Sequence, residues 1–172
     1  MSYIETFSGK KIDFFEPRAD QIDINDIARG LSRLPRFAGQ TSEFYSVASH
    51  SLNVARILPD KHKLQGLMHD AAEAFVGDLP TPFKRNIPAF GELEHRIWVA
   101  ICERFGIAVE LDPLVKRADS TMLVSERDIL KPAVSDWGPY EDNLRVEVGY
   151  RYATASSVAE ADFLSKFKEL TA

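Results

Sequence analysis

Apolar positions alternate briefly at the start of the chain and then fall into a helical rhythm for most of its length. Between Ile4 and Phe14, two short apolar stretches flank Ser8-Gly9, a pattern that predicts a β-hairpin. Ile24, Ile27, Leu31 and Leu34 then recur at the three- and four-residue steps that put side chains on one face of a helix. Val47, Val54 and Leu58 repeat the pattern. Leu64, Leu67, Met68, Ala71 and Phe75 make the stripe of a further helix that stops before Gly77. Leu93, Ile97, Ile101 and Phe105 step by four up to Gly106, a suitable left-handed stop. Asp112-Pro113 reads as a capped helix start, with Leu114, Ala118, Met122 and Ile129 carrying the helix onward. Ser157 followed by Glu160 predicts a capping box that opens a last helix running through Leu170. The sum is about six helices and an all-α fold, a helical bundle with a small N-terminal β-hairpin. Residues 131–156 carry no readable periodicity.

Neither a linker nor an internal repeat divides the chain, so residues 1–172 are expected to form one domain, long enough to bury a core unaided. The single cysteine, Cys102, excludes an intrachain disulfide and a cysteine-based zinc site. No apolar run approaches the ~20 residues that span a bilayer. The opening MSYIETFSGKK lacks the basic start and apolar stretch of a signal peptide, so the expected location is the cytoplasm, with no membrane partner. A net charge of −5 argues against nucleic acid as a partner. It leaves room for a small anion at a local positive patch: Arg33 with Arg36, Lys84 with Arg85, or Lys116 with Arg117. Each of these, taken singly, reads more simply as solvated surface charge.

Two of the four histidines, His62 and His95, sit among charged neighbours and read as surface residues. His69-Asp70 differs, because it lies inside an apolar segment, and burying unpaired polar groups is unfavourable by several kcal/mol. A divalent cation bound by imidazole and carboxylate relieves that cost. His50, in the helix before, and Asp119, in the middle of a later helix where aspartate has poor propensity, extend the set. Two imidazoles and two carboxylates from three helices suit zinc, cobalt, manganese or iron, with coordination positions left for water and substrate. Glu73 follows His69 by four residues, on the same face of a continuous helix, where it can serve as an acid or base. Asp78, in the two-proline loop Gly77-Asp-Leu-Pro-Thr-Pro82, reads equally as a second acid/base or an ordinary turn aspartate, and Lys84 after it can meet a phosphate.

The order His50, His69-Asp70, Asp119 resembles the HD-domain metal-dependent phosphohydrolases. Ser46-Val-Ala-Ser-His-Ser51, His69-Asp-Ala-Ala-Glu73, Gly77-Asp-Leu-Pro-Thr-Pro-Phe-Lys84 and Val115-Lys-Arg-Ala-Asp119 are similar to the bacterial 5′-deoxynucleotidase branch. Leu31-Ser-Arg-Leu-Pro-Arg-Phe-Ala-Gly39 and Phe44-Tyr-Ser-Val-Ala resemble a compact sub-branch that includes phage dATP triphosphohydrolases. The resemblance covers roughly residues 20–130. It implies an HD-domain bundle with metal ligands His50, His69, Asp70 and Asp119, and one divalent ion with magnesium a possible second. It further implies catalytic carboxylates Glu73 and Asp78, and contacts to a deoxynucleotide from Arg36, Phe37 and Lys84. The leading expectation is a dNTP triphosphohydrolase, dATP-type, releasing nucleoside and triphosphate. The alternatives are a 5′-deoxynucleotidase acting on dNMPs and a non-catalytic metal-binding module. The resemblance also implies a homo-oligomer, a dimer or larger.

Overall fold

The computed structural model describes residues 2–131, 137, 143–149 and 154–172. It is an all-α fold with a small N-terminal hairpin. Strands β1 (Tyr3–Glu5) and β2 (Lys11–Asp13) pair antiparallel, with Ile4 opposite Ile12. Ile12 is buried in the core. The hairpin is tied to the helices through its turn, where the Ser8 amide and hydroxyl both donate to the Asp26 carboxylate, at 3.0 and 2.6 Å.

The helices are α1 (Ile24–Arg33), α2 (Val47–Ile57), α3 (Asp60–Met68), α4 (Glu73–Val76), α5 (Thr81–Lys84), α6 (Pro88–Phe105), α7 (Pro113–Leu130) and α8 (Ser156–Leu170). Three have local start signals in their sequence. Asp23 accepts from the Asn25 amide, Ser46 from Ser49 and Asp112 from Leu114, each satisfying a free amide of the first turn. Gly106 ends α6 at φ 67. Helix α2 is the axis of the bundle: every residue from Val47 to Ala55 is buried. Its partners are α3, α7, α8 and α1. One core joins α1, α2, α3, α6 and α8, and a second gathers Tyr45, Val54, Val115, Met122 and Leu130 on the α7 side. A helix this enclosed has no solvated face, so His50 and Asn53 on it must find partners inside the protein.

Three expectations are corrected. The stripe from Leu64 to Phe75 is not one helix. Helix α3 ends at Met68, and residues 69–72 form tight turns in which Ala71 bonds back to Met68 at 2.8 Å and Glu73 to Asp70 at 2.9 Å. The His69 Nδ1 donates at 2.8 Å to the Gly66 carbonyl, the group that would accept the Asp70 amide in a continued α-helix. The capping box at Ser157 and Glu160 does not form either. Helix α8 starts a residue earlier, with Ala155 before it and no side-chain cap. The Glu160 carboxylate instead lies 2.6 Å from Arg33 and 3.7 Å from Arg29, both on α1. His62 also departs from expectation: it is half-buried, 3.7 Å from the Asp112 carboxylate, whereas His95 is exposed. Within the stretch that resisted reading, residues 132–136, 138–142 and 150–153 lie outside the described residues. Among those described, no helix is long and apolar enough to cross a membrane.

Candidate metal centre

His50 projects from buried α2, His69 and Asp70 from the tight turns after α3, and Asp119 from α7. Their four facing atoms form a ring. His50 Nε2 lies 3.1 Å from Asp119 Oδ1 and 3.7 Å from Asp70 Oδ2. His69 Nε2 lies 3.1 Å from Asp70 Oδ2 and 3.8 Å from Asp119 Oδ1. The His50, His69 and Asp119 atoms all lie within 4.8 Å of one another, close enough to hold one ion after small adjustment, while Asp70 flanks the two imidazoles from the other side.

The other ring nitrogens are already committed. A carbonyl and a carboxylate only accept, so the His69 Nδ1 hydrogen goes to Gly66 and that of His50 to Glu126, at 2.9 and 3.0 Å from its two oxygens. Both Nε2 atoms are thereby turned toward carboxylate oxygens. His69 Nε2 is buried with no well-formed hydrogen bond among the described residues. Burial alone would discharge the whole cluster. Yet the flanking imidazoles hold Asp70 down to about 2 and Asp119 well below the usual range, and those carboxylates hold His69 well above its ordinary value. The cluster calls for positive charge at its centre, as protons or as a cation. The donor set therefore fits a divalent metal, with half-buried Asp119 on the open side.

Above this ring lies a cavity of about 700 Å³ whose wall includes Arg36, Asp70, Glu73, Asp78, Lys84 and Asp119. Glu73 is buried: its Oε1 accepts from Lys84 at 3.2 Å, and its Oε2 has no hydrogen-bond partner among the described residues. Burial, then the Asp70 and Asp78 carboxylates, raise its pKa well above that of an ordinary glutamate. Burial likewise raises Asp78. Lys84 lies in the same wall, but its ammonium is held by Glu94 at 2.8 Å as well as by Glu73, and these carboxylates outweigh burial to raise its pKa.

Arg36 is buried, with its guanidinium 3.9 Å from Asp70 and 3.8 Å from Glu126, and its Nε makes no hydrogen bond among the described residues. It opens a turn in which Phe37 and Ala38 both adopt left-handed backbone, φ 55 and 51, followed by Gly39 at φ 73. Such strain in residues other than glycine persists only where the surroundings impose it. Here the Arg36 amide donates to the Tyr45 carbonyl, Ser42 donates to Leu130, and Lys131 reaches the Gln40 carbonyl. Phe37 is turned into the cavity, its ring centroid 6.2 Å from that of Trp137.

The structure thus brings the candidate site residues to one place, His50, His69, Asp70 and Asp119 in the ring and Glu73, Asp78, Arg36, Phe37 and Lys84 around the cavity, whereas Arg33 and Lys116 lie elsewhere. Sequence reasoning missed Glu126. Its signal was a glutamate seven residues beyond Asp119, two turns along one face of α7. Tyr45 and Asn53, which support Glu126, were missed too.

Fold and site together define an all-α protein with a cluster of two imidazoles and two carboxylates at the floor of a cavity whose wall carries further charged side chains. No family model matches the chain. It is 38% identical over 172 residues to YfdR, an uncharacterized protein of Escherichia coli strain K12, spanning 99% of this chain and 97% of that one. It is also 40% identical over 121 residues to an uncharacterized protein of Rhodobacter capsulatus, spanning 64% of this chain and 62% of the other. The chain belongs to the family of YfdR.

Proposed function

We propose that the protein is a metal-dependent phosphohydrolase of the HD-domain type acting on deoxynucleotides, and that it converts a deoxynucleoside triphosphate to nucleoside and triphosphate. The observation that carries this reading is the ring itself: two imidazole Nε2 atoms, their rings held through Nδ1 by Glu126 and Gly66, meet carboxylate oxygens on the floor of a cavity that holds a further carboxylate and a buried guanidinium.

His50, His69, Asp70 and Asp119 would hold the ion. When bound, a divalent metal supplies Lewis acidity toward a phosphoryl oxygen and a lowered pKa for water. In the hydrolysis, the water oxygen bonds to the α-phosphorus, the bond to the 5′-oxygen breaks, and that oxygen gains a proton. Glu73 and Asp78, both held above the usual carboxylate range by burial, suit proton exchange, one accepting from water and the other donating to the leaving oxygen. Arg36 offers a planar two-pronged contact to phosphate oxygens as charge builds. Phe37, facing the same space, supports packing against base or sugar.

The second reading, a 5′-deoxynucleotidase, is favoured by one feature. Lys84 is held between Glu73 and Glu94, which leaves Arg36 as the chief anchor and suits a single phosphate. The test is product analysis on dATP and dAMP with zinc, cobalt, manganese or iron. Inorganic triphosphate from dATP supports the first reading, phosphate from dAMP the second. No product from either at full metal occupancy overturns both and leaves a non-catalytic metal-binding module.

A further inference from the structure

Glu126 is fully buried in α7, and burying an ionised carboxylate is unfavourable unless it is well partnered. Its partners are specific. The Tyr45 hydroxyl donates to it at 2.7 Å, and the Asn53 amide donates to that hydroxyl at 2.8 Å. His50 Nδ1 lies within 3.0 Å of both oxygens, and the Arg36 Nε lies 3.8 Å from Oε2. One carboxylate therefore touches the imidazole at the floor of the site and lies beside the guanidinium in its wall. As a source of stability it is a poor device, since apolar replacement of buried ionic groups is often neutral or better. As an orienting device it is a good one. It compels the hydrogen of His50 onto Nδ1, and so leaves the Nε2 lone pair facing Asp119 and Asp70.

We infer that Glu126 is a positioning residue: it fixes the tautomer and ring orientation of His50 for metal binding, and Tyr45 and Asn53 hold it in place. This rests on the metal-binding reading above. The amide of Glu126→Gln can still accept from His50, so the fold has a route to survive, but the charge is gone and the amide can equally donate and reverse the tautomer.

The test is metal affinity, with cobalt(II) and zinc(II) against a chromophoric chelator, for wild type, Glu126→Gln, Tyr45→Phe and Asp119→Asn. Unfolding of each metal-free protein is measured alongside. Loss of such supporting carboxylates typically weakens binding by ~10–100-fold, and that is the result expected for Glu126→Gln, without a matching loss of metal-free stability. Tyr45→Phe, which removes one support of Glu126, should weaken binding measurably but by less than Glu126→Gln does. Affinity within twofold of wild type in Glu126→Gln overturns the inference. If that variant does not fold, unchanged affinity in Tyr45→Phe overturns it instead. Wild type that binds no metal, with Asp119→Asn no different, brings down the metal reading itself and this inference with it. Tight wild-type binding lost in Asp119→Asn but kept in Glu126→Gln brings down this inference alone.

Discussion

Gly30 on α1 packs so closely against Ala74 on α4 that a Cβ at position 30 would lie 2.9 Å from the Ala74 Cβ and 2.8 Å from its carbonyl oxygen. Helix α4 is a single turn that begins at Glu73, so this contact sets how deep the Glu73 carboxylate sits. Gly30→Ala should gain ~1 kcal/mol of helix propensity but lose ~1–3 kcal/mol to overpacking against backbone, for a net loss. Urea unfolding reads the difference. Greater stability in the variant would show that the two helices have slack between them.

Metal should stabilise the protein, because the ring exists only in the folded chain. At a free metal concentration ~100 times Kd the gain is ~2.7 kcal/mol, visible as a rise in Tm over the chelator-treated protein. Asp119→Asn should abolish most of that rise. A Tm indifferent to metal in the wild type would refute the ring as a binding site.

Glu73 gives a pH signature. Its folded pKa is raised by burial and by Asp70 and Asp78, and as a base it works only when deprotonated. The rate should therefore climb with pH through a limb lying well above the ~4.3 of an ordinary glutamate, and saturate on the alkaline side. Glu73→Gln should lower the rate by ~100-fold or more and remove this limb. A full rate with the same profile in the variant would remove Glu73 from the reaction.

Ala38 is exposed and left-handed, which strains a residue that carries a Cβ by ~1–2 kcal/mol. Ala38→Gly lifts that strain against an entropic loss of ~0.5–1 kcal/mol, so the variant should be more stable by up to ~1.5 kcal/mol. Thermal unfolding decides, and a lower Tm would mean that the methyl has a packing role.

What was legible in the sequence was local. The hairpin around Ser8-Gly9, the Asp112-Pro113 start and the Gly106 stop each depend on neighbours in the chain, and each formed as read. His50, His69, Asp70 and Asp119 stood out in the sequence because His and Asp inside apolar segments or in mid-helix demand a reason, whereas Arg36 and Phe37 stood out only through the family resemblance. What escaped depended on distant groups. The break after Met68 follows from a side chain taking a backbone carbonyl, and Glu160 left its expected cap for Arg33 and Arg29 across the bundle. The left-handed backbone at Phe37 and Ala38 is imposed by bonds from Tyr45, Ser42 and Lys131. Glu126 looks like any helix glutamate until its burial against His50 is known.

The break between α3 and α4 constrains how this protein can vary. His69 and Asp70 precede Glu73 by only four and three residues, and all three must present their side chains from one short run of tight turns. Each residue added to or removed from such a run rotates everything beyond it by ~100–120°. A single insertion there would leave the ring intact yet swing Glu73 away from its cavity and against Gly30. Substitutions at Ala71 or Ala72 can be absorbed by small repacking, whereas a change in length cannot. Within the family, residues 69–73 should therefore be a stretch without gaps, held to a count as strictly as the ring is held to its side chains.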